Sequence, residues 1–162
     1  MKSMWQLNSK RIVFCASFGG AAFALRALNV MITIGGPFVI DLRDIPGIFG
    51  AALAGPIGGI IVGVLAGAPA KFPIVDVPAF VSAYFSVGFL VGSLKKHKWL
   101  GGFAALSGYI VASAIVWLIG LVPSWKMALI LILPRAAILV PIQVILLYLL
   151  FKRWPNLDIL LQ

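Results

Sequence analysis

Six ionisable side chains fall where an apolar chain has little reason to carry them. Arg26 and Arg135 lie inside long apolar runs, Asp41-Leu42-Arg43-Asp44 stands just ahead of Ile45-Pro46, and Asp76 follows the next run. Apart from Asp158, these include every carboxylate in the chain. Ionisable groups are costly near lipid and mark ligand paths or buried pairs. An arginine fork matches a carboxylate or phosphate, so Arg26, Arg43, Lys71 and Arg135 together suit an anionic ligand. If Asp41, Asp44 and Asp76 instead neutralise those cations, the same residues leave a pocket for a neutral heterocycle. Asn29, one turn beyond Arg26, would share its helical face. Tyr84, Trp117 and Trp125, with Phe72, lie near the same ends as ligand-stacking rings or as interfacial anchors. Structural uses compete: Asp44 as a helix N-cap with Pro46 in the first turn, and the arginines snorkelling to an interface.

Other chemistries lack their parts. Glutamate is absent, His97 is the one histidine and sits among Lys95, Lys96 and Lys98, and Cys15 is the one cysteine. No intrachain disulfide and no Cys/His metal cluster can be assembled from that set. A nucleophile–base pair and a phosphate-binding Gly-x-x-x-x-Gly-Lys loop are both missing. Neither catalysis nor a resident cofactor or metal is therefore expected. The net charge of +9 comes from basic residues at the ends of apolar runs, a pattern that fits a lipid bilayer and not nucleic acid.

The elements that must position these residues are membrane helices. With 62% hydrophobic residues and a mean hydropathy of +1.12, the 162-residue chain is not a soluble domain, in which about a quarter of residues are charged. Its start resembles a signal peptide, but apolar character continues to about Ile40, so it reads as a first membrane helix. Gly55-Pro56 interrupts the second apolar run, and such a pair is a strong break. The distribution of lysine and arginine tests whether that run crosses once or doubles back. A single crossing leaves no bias: five basic residues on one side and six on the other. A hairpin broken at Gly55-Pro56 places Lys2, Lys10, Arg11, Lys95, Lys96, Lys98, Lys152 and Arg153 inside and only Arg43, Lys71 and Lys126 outside.

The expected fold is therefore an all-α integral membrane protein, a single domain over residues 1–162. Its six transmembrane helices would be at about 12–34, 45–55, 57–67, 77–94, 99–122 and 127–151, with both termini cytoplasmic. The second and third, about 17 Å each, form a short hairpin, which implies a pocket opening outward beneath the loops near 35–44 and 67–77. Ala16, Gly20 and Ala24 recur every four residues and line one face of the first helix, where another helix could approach closely, either within the monomer or on a partner. Gly50, Ala54, Gly58, Gly59, Gly63 and Gly67 would serve packing of the hairpin.

The stretch Asp41-Leu42-Arg43-Asp44-Ile45-Pro46, then Gly50-Ala51-Ala52-Leu53-Ala54-Gly55-Pro56-Ile57-Gly58-Gly59 and Gly63, resembles the substrate-binding S components of energy-coupling factor (ECF) vitamin transporters. The ending from Leu133-Pro134-Arg135 through Tyr148-Leu149-Leu150-Phe151-Lys152-Arg153 is similar to their last helix. The resemblance implies a six-helix protein of a prokaryotic cell membrane that binds a vitamin, precursor or similar micronutrient from outside. Its partners would be a transmembrane coupling subunit and two cytosolic ATPases, which supply the transport energy. The family's Ala-x-x-x-Ala contact to the coupling subunit would fall on Ala16, Gly20 and Ala24, with glycine in the middle place. Five-helix sensor-kinase membrane domains share an acidic-Leu-Arg segment and a Gly-Pro-x-Gly-Gly hairpin, so a sensor is the alternative, although no soluble output domain follows here. A structural membrane protein without a ligand is the third.

Overall fold

The computed structural model describes residues 5–35, 38–94 and 96–154; Lys2, Lys95 and Asp158 lie outside them. The order is α1 (Ser9–Ala27), β1 (Met31–Gly35), β2 (Phe38–Asp41), α2 (Asp44–Gly67), α3 (Pro73–Ser93), a 3-10 helix (Lys98–Ala105), α4 (Leu106–Leu118) and α5 (Trp125–Arg153). Helix dominates. Four stretches among the described residues are long and apolar enough to cross a membrane: Asp44–Gly67, Pro73–Ser93, Lys98–Leu118 and Trp125–Arg153. The chain is thus a multi-pass membrane protein by length and composition, with four such stretches where six were expected.

One of the four is not a rod. Gly55 has φ 77° and ψ −170°, a conformation open in practice only to glycine, and Pro56 follows it with no N–H to continue the ladder. The chain reverses there. Arg43 Nη1 donates to the Ala66 carbonyl at 2.8 Å, although a straight helix would hold those residues about 35 Å apart at 1.5 Å per residue. Farther along, a Cβ at Gly50 would lie 3.1 Å from Val62 Cγ2. Residues 44–54 and 56–67 are therefore the two arms of a hairpin, as the Gly-Pro pair predicts.

Helix ends differ from the sequence expectation where caps decide them. The first helix, expected at 12–34, runs from Ser9 because the Asn8 side chain accepts from the Arg11 N–H at 2.9 Å. It stops at Ala27 because Asn29 turns left-handed, at φ 55°. The Asn29 and Val30 N–H groups then close back on the Arg26 and Leu25 carbonyls, each at 2.9 Å, which is the Schellman arrangement. Within the stretch expected as helix and loop, Met31–Gly35 and Phe38–Asp41 instead form two antiparallel strands pairing Met31 with Asp41 and Ile32 with Ile40. β-Branched residues favour that conformation, and this small two-stranded sheet is an addition to a fold that is otherwise all-α, as expected.

Gly120, at φ 73°, ends α4 in the same Schellman way, through Gly120 N–H to Trp117 and Leu121 N–H to Val116, so α4 stops at Leu118 rather than 122. Pro73 at its first turn starts α3 four residues ahead of the expected 77. Ser124 caps α5 through the Met127 N–H at 3.3 Å, which begins it at Trp125 rather than 127.

The hairpin is the centre of the bundle, with α1 packed on one side and α3 on the other. Glycines make this possible. A Cβ at Gly63 would lie 2.6 Å from Val81 Cα, and one at Gly67 2.6 Å from Val77 Cα, so the second arm rests on the α3 backbone. Gly58 meets Ala54 of the first arm and Cys15 of α1, with 2.9 Å to its Sγ, and Gly50 meets Val62 of the second arm and Phe18 of α1. These small residues thus bring the two arms together, as expected, and also seat the hairpin between its neighbours. The 3-10 helix and α4 pack on α3, and α5 closes the far side.

Because any side chain at Gly63 must displace backbone, Gly63→Leu is expected to lower stability by about 1–3 kcal/mol or more. Gly20, where a Cβ meets nothing within 4 Å, is the control: Gly20→Leu should stay within about 0.5 kcal/mol. Thermal unfolding of the detergent-solubilised variants reads both.

Candidate functional site

The open end of the hairpin gathers the charges. Arg43, at the head of α2 and only 2% exposed, sends its guanidinium in three directions. Its Nε lies 2.9 Å from Asp41 Oδ2, its Nη2 lies 3.1 Å from Asp76 Oδ2, and its Nη1 holds the Ala66 carbonyl. The Phe80 ring covers the guanidinium, with Cζ 4.2 Å from the ring centroid, a cation–π contact. One side chain thereby ties β2, both arms of α2 and the start of α3.

Asp41 serves twice more: its Oδ1 accepts from the Arg43 N–H at 3.2 Å, and its Oδ2 lies 3.6 Å from Arg26 Nη1 at the end of α1. Arg26 also reaches Asn29 Oδ1 at 3.5 Å, so the expected Arg26–Asn29 proximity exists, created by the helix cap instead of a continued helix. Asp44 does not cap α2; Arg43 holds that position without a side-chain bond. The Asp44 carboxylate is directed at Arg135 of α5, at 3.8 Å.

A cavity of about 170 Å3 opens beside these pairs. Arg43 and Asp44 close one side; Asp76, Phe80 and Tyr84 of α3 form a second; Gly108, Tyr109 and Ala112 of α4 a third; and Ile132, Arg135 and Gln143 of α5 the fourth. Of the residues singled out in the sequence, Arg43, Asp44, Asp76, Tyr84 and Arg135 line it, while Asp41 stands one ion pair behind and Arg26 two.

The others stand apart from the lining. Lys71 is exposed, with its Nζ 5.8 Å from the Phe72 ring. Trp117 and Trp125 meet edge to face at 6.2 Å across the α4–α5 turn, and Asn29 is exposed on its own turn.

Gln143, Tyr109 and Phe80 were not anticipated. Gln143 had a visible signal: with Arg135 and Tyr148 it is one of three residues carrying polar groups in the run from Met127 to Phe151. It is 4% exposed, and its Oε1 has no hydrogen-bond partner, a condition shared by Tyr84 Oη and Arg135 Nε. Buried polar atoms are ordinarily satisfied, and Gln143, Tyr84 and Arg135 all line the cavity. Among the described residues no group of histidine, cysteine and carboxylate is placed to hold a metal ion.

On α1, the buried face is Arg11, Cys15, Gly19 and Ala22. Ala16, Gly20 and Ala24 are all exposed, so this small-residue face is not used for packing within the monomer.

Compared with known proteins, the chain matches no family model, no curated protein and no solved structure at a significant level.

Breaking the Arg43 centre strands two carboxylates, and removing one partner of a buried ion pair costs about 3–5 kcal/mol. Arg43→Met should lose that much in equilibrium unfolding from detergent micelles. Arg26→Lys, which keeps its charge near a 3.6 Å contact, should lose about 1 kcal/mol or less.

Proposed function

We propose that this chain is a substrate-capture subunit of the ECF type, taking a vitamin, precursor or similar micronutrient from outside the cell and passing it inward through an ATP-driven coupling module. The observation that carries this reading is the cavity: a mostly apolar space with a few charged and polar side chains in its wall, bounded by the head of α2 and by α3, α4 and α5. Concave, mostly apolar pockets with a few convergent polar groups are the usual form of small-molecule sites.

Two further features support it. Taken as two arms, α2 brings the number of helical segments to six, which suits six crossings in a prokaryotic cell membrane. The ion pairs gather the end of α1, the open end of the hairpin and the start of α3 at one pole. Lys10, Arg11, Lys96, Lys98, Lys152 and Arg153 belong to the other pole, with the Gly55 turn. Under the positive-inside rule that second pole, with both termini, faces the cytoplasm, and the cavity opens toward the outside. The exposed Ala16, Gly20 and Ala24 face supplies a surface on which a transmembrane coupling subunit could approach closely, with two cytosolic ATPases completing the assembly.

The purified chain, screened against water-soluble vitamins and their precursors, should show a saturable rise in melting temperature with one of them; ligand at 100 times its Kd adds about 2.7 kcal/mol. Gly20→Leu or Ala24→Leu should abolish co-purification with coexpressed coupling subunits while keeping that rise. A purely structural protein gives no ligand-dependent rise, and a sensor gives the rise without assembly.

Orientation has its own check. A cysteine at Lys71, in a Cys15→Ala background, should react with a membrane-impermeant reagent added outside intact cells. Reaction from the cytoplasmic side alone would reverse the arrangement.

A further inference from the structure

The pole that carries the Gly55 turn is chemically unlike the pole of the cavity mouth. Leu53, just ahead of that turn, packs with Leu150 near the end of α5. Lys98 begins the 3-10 helix there, Lys152 and Arg153 end α5, and Lys96 lies between α3 and the 3-10 helix. All three aspartates among the described residues belong to the ion pairs of the other pole. Positive charge is balanced by carboxylates at the cavity mouth and concentrated at this end.

Two of the lysines are held at one corner. Trp99 and Tyr148 meet edge to face with ring centroids 6.2 Å apart, tying the 3-10 helix to α5. A Cβ at Gly102 would lie 2.9 Å from Val144 Cα, so the two backbones are in close approach beside that contact. Lys152 Nζ lies 5.6 Å from the Tyr148 ring centroid, and Lys98 Nζ, arriving from the other element, lies 5.8 Å from the Phe151 ring. Both are cation–π distances, and Tyr148 and Phe151 are neighbours three apart on α5. An interfacial belt accounts for such residues singly. Two ammonium groups brought by separate elements to one turn of α5 form a corner that suits a single anion.

The surface next to the charges is apolar. Ile145, Tyr148 and Lys152, three and four apart, share one face of α5, and Ile145 is 56% exposed. A molecule that matches both parts carries a phosphate at the level of the lysines and hydrocarbon along the helix. A zwitterionic headgroup brings an ammonium of its own, which the lysines repel, whereas basic corners between helices at the ends of spans bind acidic headgroups. We infer that the corner formed by Lys98, Trp99, Tyr148 and Lys152 binds one anionic phospholipid, its phosphate at the two ammonium groups and an acyl chain along Ile145. This inference goes beyond the capture reading and does not depend on it: it takes from the fold only the multi-pass helices and this corner.

The test titrates the full chain, purified in a mild detergent, with dioleoylphosphatidylglycerol or dioleoylphosphatidylcholine and counts retained lipids by native mass spectrometry. One phosphatidylglycerol should be held, with a preference of about 10-fold or more over phosphatidylcholine. Lys98→Gln and Lys152→Gln should each weaken it about 5-fold, and the pair about 30-fold. The melting temperature of each variant without added lipid reports folding separately. Lys10→Gln, an exposed cation of the same pole on α1, and Lys126→Gln, at the other pole, should leave retention unchanged. Equal retention of the two lipids, or a loss in Lys10→Gln as large as in Lys152→Gln, would overturn the site in favour of general attraction between a basic pole and acidic lipid. So would full retention in the double variant. Glycerol phosphate, which has the phosphate without acyl chains, should not compete; competition by it would overturn the lipid as occupant and leave a soluble phosphate in its place.

Discussion

A charge held among apolar helices must find its counter-charge inside the protein, and here that requirement falls on Arg43. A lysine could not meet it: the site uses the fork and flat face of a guanidinium, with carboxylates at two of its nitrogens, a carbonyl at the third and an aromatic ring over its carbon. Each partner comes from a different piece of chain. The β-hairpin is held by Asp41, the returning arm of α2 by the Ala66 carbonyl, and α3 by Asp76 and Phe80. The open end of the helical hairpin, which has no crosslink of its own, is closed by this one side chain.

The opposite end is set by backbone conformation rather than charge. Gly55 adopts the extended positive-φ geometry that reverses the chain, and its carbonyl lies against Gly88 of α3, where a Cβ would be 2.6 Å from it. Between these two ends the arms are separated from their neighbours by little more than backbone, because Gly63 and Gly67 let α3 in and Gly50 and Gly58 let α1 in. In lipid, where no hydrophobic force drives helices together, such close approach supplies dispersion contacts over the whole length of the hairpin. The fold therefore depends on missing side chains along the hairpin and on one very well-matched side chain at its mouth.

What the sequence disclosed follows the same division. Gly55-Pro56 was legible because two residues with strong backbone preferences stand together, and the cluster Asp41, Arg43, Asp44, Asp76 and Arg135 was legible because charges are rare in this chain. The β-hairpin was not, since Met31, Ile32 and Ile34 continue the apolar run of α1 and the left-handed Asn29 that ends it is a weaker signal than glycine. Gly120 carries that stronger signal, but the apolar run continues past it, so apolar length alone overstates α4. Lys71, Trp117 and Trp125 show a different limit. Position along a helix gives depth, but the side of the bundle a residue faces depends on neighbours that periodicity does not name. Gln143 was missed because an uncharged amide draws less attention than an arginine, although in an apolar helix it needs a partner just as an arginine does.

The balance of charges also explains why the pocket can exist without collapsing or flooding. Three arginines (26, 43 and 135) meet three aspartates (41, 44 and 76), so the wall carries strong local dipoles without a net field that would hold a lone ion. Its tight pairs lie behind and beside the cavity, around Arg43, while the longest, Asp44 to Arg135 at 3.8 Å, joins the two elements that face each other across it. Small residues on α3 and α4 keep the space open, and α2 is pinned independently at Arg43. The cavity is thus held both at Arg43, on its α2–α3 side, and across its mouth by the Asp44–Arg135 contact.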